Sequence, residues 1–364
     1  MTRAALFEHA GAPLRLADLD IADPGPGEVT VDVKATGICH SDVGVFSGKL
    51  PAPLPLVLGH EGAGVVTAVG AGVENLSVGD HVVLSWLASC GTCYYCQRAE
   101  QHLCGRPRTM LGAHTLPDGS TRMSLDGTPV RQFCGLGTFS QRTVVPAGAA
   151  IRISDRVPIA SAALLGCGVL TGFGAAVKTG GVRVGDAVAV IGCGGVGLNA
   201  VQGARIAGAT TIIAIDVHTD RLALADELGA THTLTAGPDV VKKVQQLTGR
   251  RGADVVIEVA GRQETVDQAV AMARRGGTAV LVGAGPGVAV SEVFNNVVMS
   301  GKTVKGCLYG SAHVKRDIPQ LVELYQRGAL LLDQLVTETF DFGDIGKAVE
   351  YCADENGARA VVLS

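Results

Sequence analysis

The sequence predicts an α/β protein in two parts, a β-rich lobe and a doubly wound parallel sheet. Three observations carry this. Apolar, β-branched runs recur at 187–191, 211–215, 254–259, 278–282 and 303–307, with helical patterns such as 195–207 and 219–228 between them. Strands that alternate with helices of about 10–15 residues build a parallel sheet. A glycine-rich turn, Gly192-Cys193-Gly194-Gly195-Val196-Gly197, joins the first run to the first helical pattern. Upstream of about residue 168 the chain instead carries short strand-like segments (EVTVDVKATGI, GAGVVTAVGAG, DHVVLSW) broken by Gly, Pro and Asp. The tail from 309 is mixed and ends in the strand-like ARAVVLS.

At 364 residues the chain exceeds what one core usually serves. We expect two domains: residues 1–168 with 309–364, and residues 169–308. Hydrophobic content of 47% against 18% charged residues marks a folded, globular chain. Fifty glycines without a repeat point to many tight turns. The net charge of −4 and the lack of a basic stretch argue against nucleic acid or an anionic membrane as partner. No apolar run of about 18 residues predicts a membrane span. The N-terminal MTRAALFEHAGAPLRL reads as no secretory signal, so a cytoplasmic location is expected.

Cys90, Cys93, Cys96 and Cys104 form a C-x2-C-x2-C-x7-C run. Four thiolates on one short loop fit a closed tetrahedral zinc site, which is structural because no position stays open. A reducing compartment favours metal over disulfides for this spacing. The residues from Cys104 to Thr138 are rich in Gly, Thr and Asp and read as a long surface excursion.

The glycine turn is G-x-G-x-x-G between a strand and a helix, the setting of a dinucleotide site. Gly192 makes the tight turn, Gly194 admits the pyrophosphate, and Gly197 lets helix and strand pack closely. The helix N-terminus, from Gly195 and Val196 onward, favours phosphate. Asp216 ends the next strand, where an acid binds the ribose hydroxyls and repels a 2′-phosphate, so NAD is expected over NADP. Arg221, five residues on, is placed to flank that ribose.

Six cysteines lie outside the cluster: Cys39, Cys134, Cys167, Cys193, Cys307 and Cys352. Cys39 sits in GICHSD and Cys167 in LLGCGVLTG, with Gly59-His60-Glu61 between them. A Cys, His, Cys set leaves one tetrahedral position open, as a catalytic zinc needs, but spacing alone does not group these three.

GICHSD, GHEGAGVV, the four-cysteine run, GCGVLTG and GCGGVG together resemble the zinc-dependent alcohol dehydrogenases of the medium-chain dehydrogenase/reductase superfamily, over essentially the whole chain. The resemblance implies a GroES-like catalytic domain, with the zinc lobe at about 90–104, and a Rossmann NAD-binding domain. It implies two zinc ions per chain, one on Cys39, His60 and Cys167 and one on the four clustered cysteines. It makes Asp42 the carboxylate that orients His60, Glu61 the acid behind the metal, and Ser41 the hydroxyl that takes the substrate proton. His40 and Arg359 fall at cofactor-phosphate positions, Thr171 falls near the nicotinamide, and Val282 is a further cofactor-binding position. Leu50, Trp86, Met110, Phe133, Ala284 and Leu308 fall at pocket positions, which suggests an aromatic or medium-chain primary alcohol/aldehyde pair as substrate. The chain departs from the full proton relay of the family, where a His stands three residues after the Ser, because Gly44 occupies that place. LLGCGVLTGFGAAVKTGGVRVGDAVAVIGCGGVG is also similar to the actinobacterial thiol-dependent formaldehyde dehydrogenases, which act on a mycothiol adduct. The family further implies a homodimer.

Overall fold

The computed structural model describes residues 1–283, 285, 287–354 and 359–364. Two compact units result: residues 1–167 with 313–328 and 332–364, and residues 168–312 with 329–331.

In the first unit, Thr2–Phe7, Arg15–Ile21, Met123–Leu125, Thr128–Gln132 and Leu56–Val57 close into a barrel. A second sheet runs in the order Ala150–Arg152, His81–Leu84, Glu61–Val69, Glu28–Gly37, Ala360–Leu363 and Glu338–Asp341, and Arg142–Pro146 also pairs with Glu28–Gly37. Glu28–Gly37 alternates buried apolar residues with more exposed ones only in part, because both of its faces are covered. The stretch after Cys104, read from the sequence as a surface excursion, is instead built into the core. Its residues Met110, Leu116, Met123, Val130 and Phe133 are buried, and two of its segments are barrel strands.

The second unit holds a parallel sheet in the order His232–Thr235, Thr211–Asp216, Ala187–Ile191, Ala253–Glu258, Ala273–Leu281, Thr303–Gly306. Counted along the chain this is the order 3-2-1-4-5-6 of the dinucleotide-binding doubly wound fold. Ile191, Ile213, Ile215 and Val256 pack against Val240, Val244, Ala269 and Met272 of the covering helices. His232–Thr235 escapes sequence reading because HTLT lies mostly exposed at the sheet edge and carries no apolar run. Among the described residues no single helix is long and apolar enough to cross a membrane.

Candidate functional site

Cys39 precedes the helix His40–Phe46, and its backbone N–H donates to Asp42 Oδ2 at 3.0 Å. The other oxygen, Oδ1, accepts from Gly59 N–H at 3.0 Å and lies 3.2 Å from His60 Nδ1. One fully buried carboxylate therefore ties together the two segments that carry Cys39 and His60. Gly59 has φ +90°, and a Cβ there would lie 2.4 Å from both Phe139 Cδ1 and Thr138 Oγ1, so only glycine fits before His60. With Nδ1 facing Asp42, Nε2 is the nitrogen left for a metal.

Cys167 follows the short turn Leu164–Gly166 and completes the set. Ligand atoms of Cys39, His60, Glu61 and Cys167 all lie within 4.8 Å of one another. Two thiols, one imidazole and a carboxylate, buried except for the half-buried Cys167, are a donor set that suits zinc. The side-chain contact with Cys167 and the nearby His60 hold the Cys39 thiol well below its ordinary range, despite burial. Burial works against a charged His60, but Asp42 and Cys39 outweigh it and push its pKa up. Burial raises Glu61 to about 7, against the pull of Arg359. Arg359 is itself buried. Its guanidinium donates to Glu61 Oε1 and, at 3.1 Å, to the carbonyl of Ile38. Its charge balance with Glu61 was not legible in the sequence. Ser41 is exposed, with Oγ 3.9 Å from Cys39 Sγ, and His40 beside it is exposed too.

The second metal-type cluster is Cys90, Cys93, Cys96 and Cys104, none of them in a disulfide. The Sγ separations are 3.9 Å (Cys90–Cys96), 3.8 Å (Cys93–Cys104) and 3.6 Å (Cys90–Cys104). A tetrahedron with Zn–S bonds of about 2.3 Å has edges of about 3.8 Å, so the thiols already stand at its corners. Cys93 N–H donates to Cys90 Sγ and Cys90 N–H to Cys104 Sγ, both at 3.3 Å. Amide donors from Thr92 and Cys93 bring the Cys90 thiol down to about 6.

Residues 25–155 match the alcohol dehydrogenase GroES-like domain, and residues 195–327 match the zinc-binding dehydrogenase domain. A putative alcohol dehydrogenase D of Mycobacterium tuberculosis is 40% identical, over 100% of this chain and 99% of that one. The chain belongs to the zinc-binding alcohol dehydrogenases. An S-(hydroxymethyl)glutathione dehydrogenase of Paracoccus denitrificans is 37% identical to this dehydrogenase, over 100% of it and 99% of the relative. The crystal structure of benzyl alcohol dehydrogenase from Acinetobacter calcoaceticus superposes with a TM-score of 0.94 at 34% identity, covering 100% and 99% of the two chains. The expected superfamily and the GroES-like plus Rossmann architecture are both borne out, and zinc and NAD are the cofactors.

In the dinucleotide unit of the dehydrogenase, Gly192 has φ +95° and donates to Ile215 O. Gly194 faces open space, as the approach of a pyrophosphate requires, and caps the helix Gly195–Ile206. A Cβ on Gly197 would lie 1.7 Å from Gly192 O, so helix and turn could not pack. Asp216 Oδ2 accepts from Cys193 N–H at 2.6 Å and Oδ1 from His218 N–H at 2.9 Å, which binds the strand end to the glycine turn. Arg221 is buried in the helix Thr219–Glu227, and Thr171 is buried in Gly168–Gly174. Val282 N–H donates to Glu258 O at 2.8 Å. Glu258, which sequence reading passed over, is fully buried and accepts from Gly261 N–H and Thr265 Oγ1.

The six expected pocket residues have different surroundings. Met110 is fully buried, Trp86 is buried, and Phe133 is buried between His60 and His114. Leu308 is exposed. Leu50 is exposed too but leans on Gly44, where a Cβ would lie 2.9 Å from Leu50 Cδ1, so Leu50 fills the space next to the missing relay side chain. Ala284 lies outside the described residues.

Proposed function

We propose that this dehydrogenase oxidises aromatic or medium-chain primary alcohols to aldehydes with NAD, and runs the reverse reaction. The observation that carries the reading is the pair of donor sets: a closed set of four thiols, and a Cys39–His60–Cys167 set in which Cys39 and His60 are buried and Cys167 is half-buried, with exposed Ser41 beside it. Zinc supplies a Lewis acid that acidifies the alcohol, and NAD supplies the hydride acceptor. The chain's own residues hold and move the rest. Cys39, His60 and Cys167 hold the metal of the open site, and Cys90, Cys93, Cys96 and Cys104 hold the structural one. Asp42 fixes the tautomer and orientation of His60. Glu61, backed by Arg359, sets the charge behind the metal. Ser41 Oγ takes the substrate proton as general base. Gly44 offers no onward group, so the proton leaves exposed Ser41 Oγ for solvent.

Residues 1–168 with 309–364 form the catalytic domain on this reading, and residues 169–308 the NAD domain. Gly192, Gly194, Gly195, Val196 and Gly197 would cradle the pyrophosphate, Asp216 and Arg221 would flank the adenosine ribose, His40 and Arg359 would serve the phosphates, Thr171 would stand near the nicotinamide, and Val282 would contact the cofactor. The enzyme works in the cytoplasm as a homodimer. Support for the dimer comes from the edge strand Thr303–Gly306, flanked by exposed Phe294, Val298, Met299 and Leu308.

A panel of primary alcohols assayed with NAD, alone and with glutathione or mycothiol plus formaldehyde, tests the substrate class. Efficient turnover of benzyl or medium-chain alcohols without a thiol is expected. Activity confined to the thiol adducts would overturn the assignment in favour of the chemistry named for the Paracoccus relative.

A further inference from the structure

Asp42 holds His60 at Nδ1, and a metal in the proposed site would hold it in its plane at Nε2. Two in-plane anchors define an axis and leave the tilt of the ring about that axis open. The Phe133 ring meets His60 in a T-shaped contact, with centroids 5.4 Å apart and planes at 72°. On its other side Phe133 leans on His114, with centroids 4.8 Å apart and planes at 53°.

His114 is a buried residue with φ +54°. Its Nδ1 accepts from Cys134 N–H at 3.4 Å, and its carbonyl accepts from Gln132 N–H at 2.9 Å. Burial pushes its pKa down, and with Nδ1 accepting from Cys134 N–H the ring proton belongs on Nε2. Cys134, at φ +52°, and Gly135, at φ +67°, follow Phe133 in left-handed backbone. A non-glycine residue kept there costs about 1 kcal/mol or more, which the surrounding contacts must offset. This turn aims Phe133 at the ligand ring while the Cys134 N–H holds His114 behind it.

We infer that Phe133 and His114 are positioning residues for the catalytic metal: a His60–Phe133–His114 stack sets the tilt of the His60 ring and links the segment after Cys104 to the metal geometry. The inference rests on the proposed Cys39–His60–Cys167 site. Aromatic contacts of this kind contribute about 0.5–1.5 kcal/mol beyond area burial. Groups that orient a metal-bound histidine typically change metal affinity about 10–100-fold.

The test replaces the open-site metal with Co²⁺ in the full chain and reads its visible d–d and thiolate charge-transfer bands, together with chelator competition for that site. Phe133→Leu is expected to shift the d–d bands and weaken binding about ten-fold, while Phe133→Tyr, which keeps the ring, stays close to wild type. His114→Gln keeps an acceptor for Cys134 N–H but removes the ring. It should move the bands in the same direction, and the double variant should add little beyond the larger single effect. It also serves if Phe133→Leu does not fold. Unchanged bands and affinity in a folded Phe133→Leu or His114→Gln protein overturn the inference, and so does a fall in melting temperature alone. Wild-type protein without thiolate-to-cobalt bands at this site would instead refute the underlying metal assignment.

Discussion

Replacing Asp42 with Asn keeps the shape of a side chain that accepts three hydrogen bonds and takes away one acceptor. The carboxylate receives Cys39 N–H on Oδ2, and Gly59 N–H and His60 Nδ1 on Oδ1. An amide has two orientations in this pocket. If its oxygen faces Gly59 and His60, its NH2 confronts the Cys39 N–H, which then lies buried without an acceptor at a cost of about 1–3 kcal/mol. If it is flipped, the NH2 confronts Gly59 N–H and donates to Nδ1, which moves the histidine proton to Nε2 and blocks that nitrogen as a ligand. The first orientation is the cheaper. It also removes the negative charge that strengthens His60 as a donor, a loss worth about 10–100-fold in metal affinity. Asp42→Asn is therefore expected to unfold at lower urea by about 1–3 kcal/mol in the metal-free state, and to give up one of two zinc ions to a weak chelator that leaves the wild type loaded. Metal analysis after graded chelator dialysis, alongside urea denaturation, checks both parts. A variant that keeps two zinc ions under the same chelator and unfolds at the wild-type midpoint would refute the reasoning.

Gly197→Ala should abolish NAD binding and lower the melting temperature, because the added methyl meets Gly192 O at 1.7 Å and forces the helix off the turn; fluorescence titration with NADH and thermal melts check this. Cys96→Ser should release the lobe's zinc, leave one zinc per chain, and reduce thermal stability more than the initial rate per catalytic zinc. In the dinucleotide unit, burial opposes ionisation of Asp254, but Ala187 N–H and Arg274 outweigh it and hold its carboxyl below the ordinary 3.8. A depressed carboxylate stabilises the fold above its ordinary value and ceases to as pH falls through its folded value. The stability gap between wild type and Asp254→Asn, about 1–2 kcal/mol near neutrality, should therefore close below about pH 4 in urea titrations.

How far the sequence could be read depended on how local each feature is. The four clustered cysteines and the GCGGVG turn announce themselves because their chemistry needs a fixed spacing within a few residues. Asp216 follows from the turn, since the next strand must end beside it. Cys39, His60 and Cys167 have no such spacing, and only the family resemblance gathered them before the coordinates placed their donor atoms together. The residues after Cys104 were misread because barrel strands of three to five residues leave no periodicity to detect. The family resemblance marks Arg359 as a cofactor-phosphate position, but its burial against Glu61, 298 residues away in the chain, leaves no local trace in the sequence. His114 carried no signal at all and Phe133 only a pocket position implied by the family, because nothing in a sequence marks one ring as resting on another.

The two metal sites also differ in the length of chain each one closes. Cys90 and Cys104 are 14 positions apart, whereas Cys39 and Cys167 are 128 apart. On a loop-closure scale growing as (3/2)RT ln n, bringing the outer ligands together costs about 2 kcal/mol more at the second site. The lobe can thus collect its ion from a short, still unfolded segment, while the reactive centre must wait until both sheets of its unit have assembled. On this term alone, partial zinc loading is expected to fill the lobe before the reactive centre, so zinc content should rise ahead of activity when the metal-free chain is titrated.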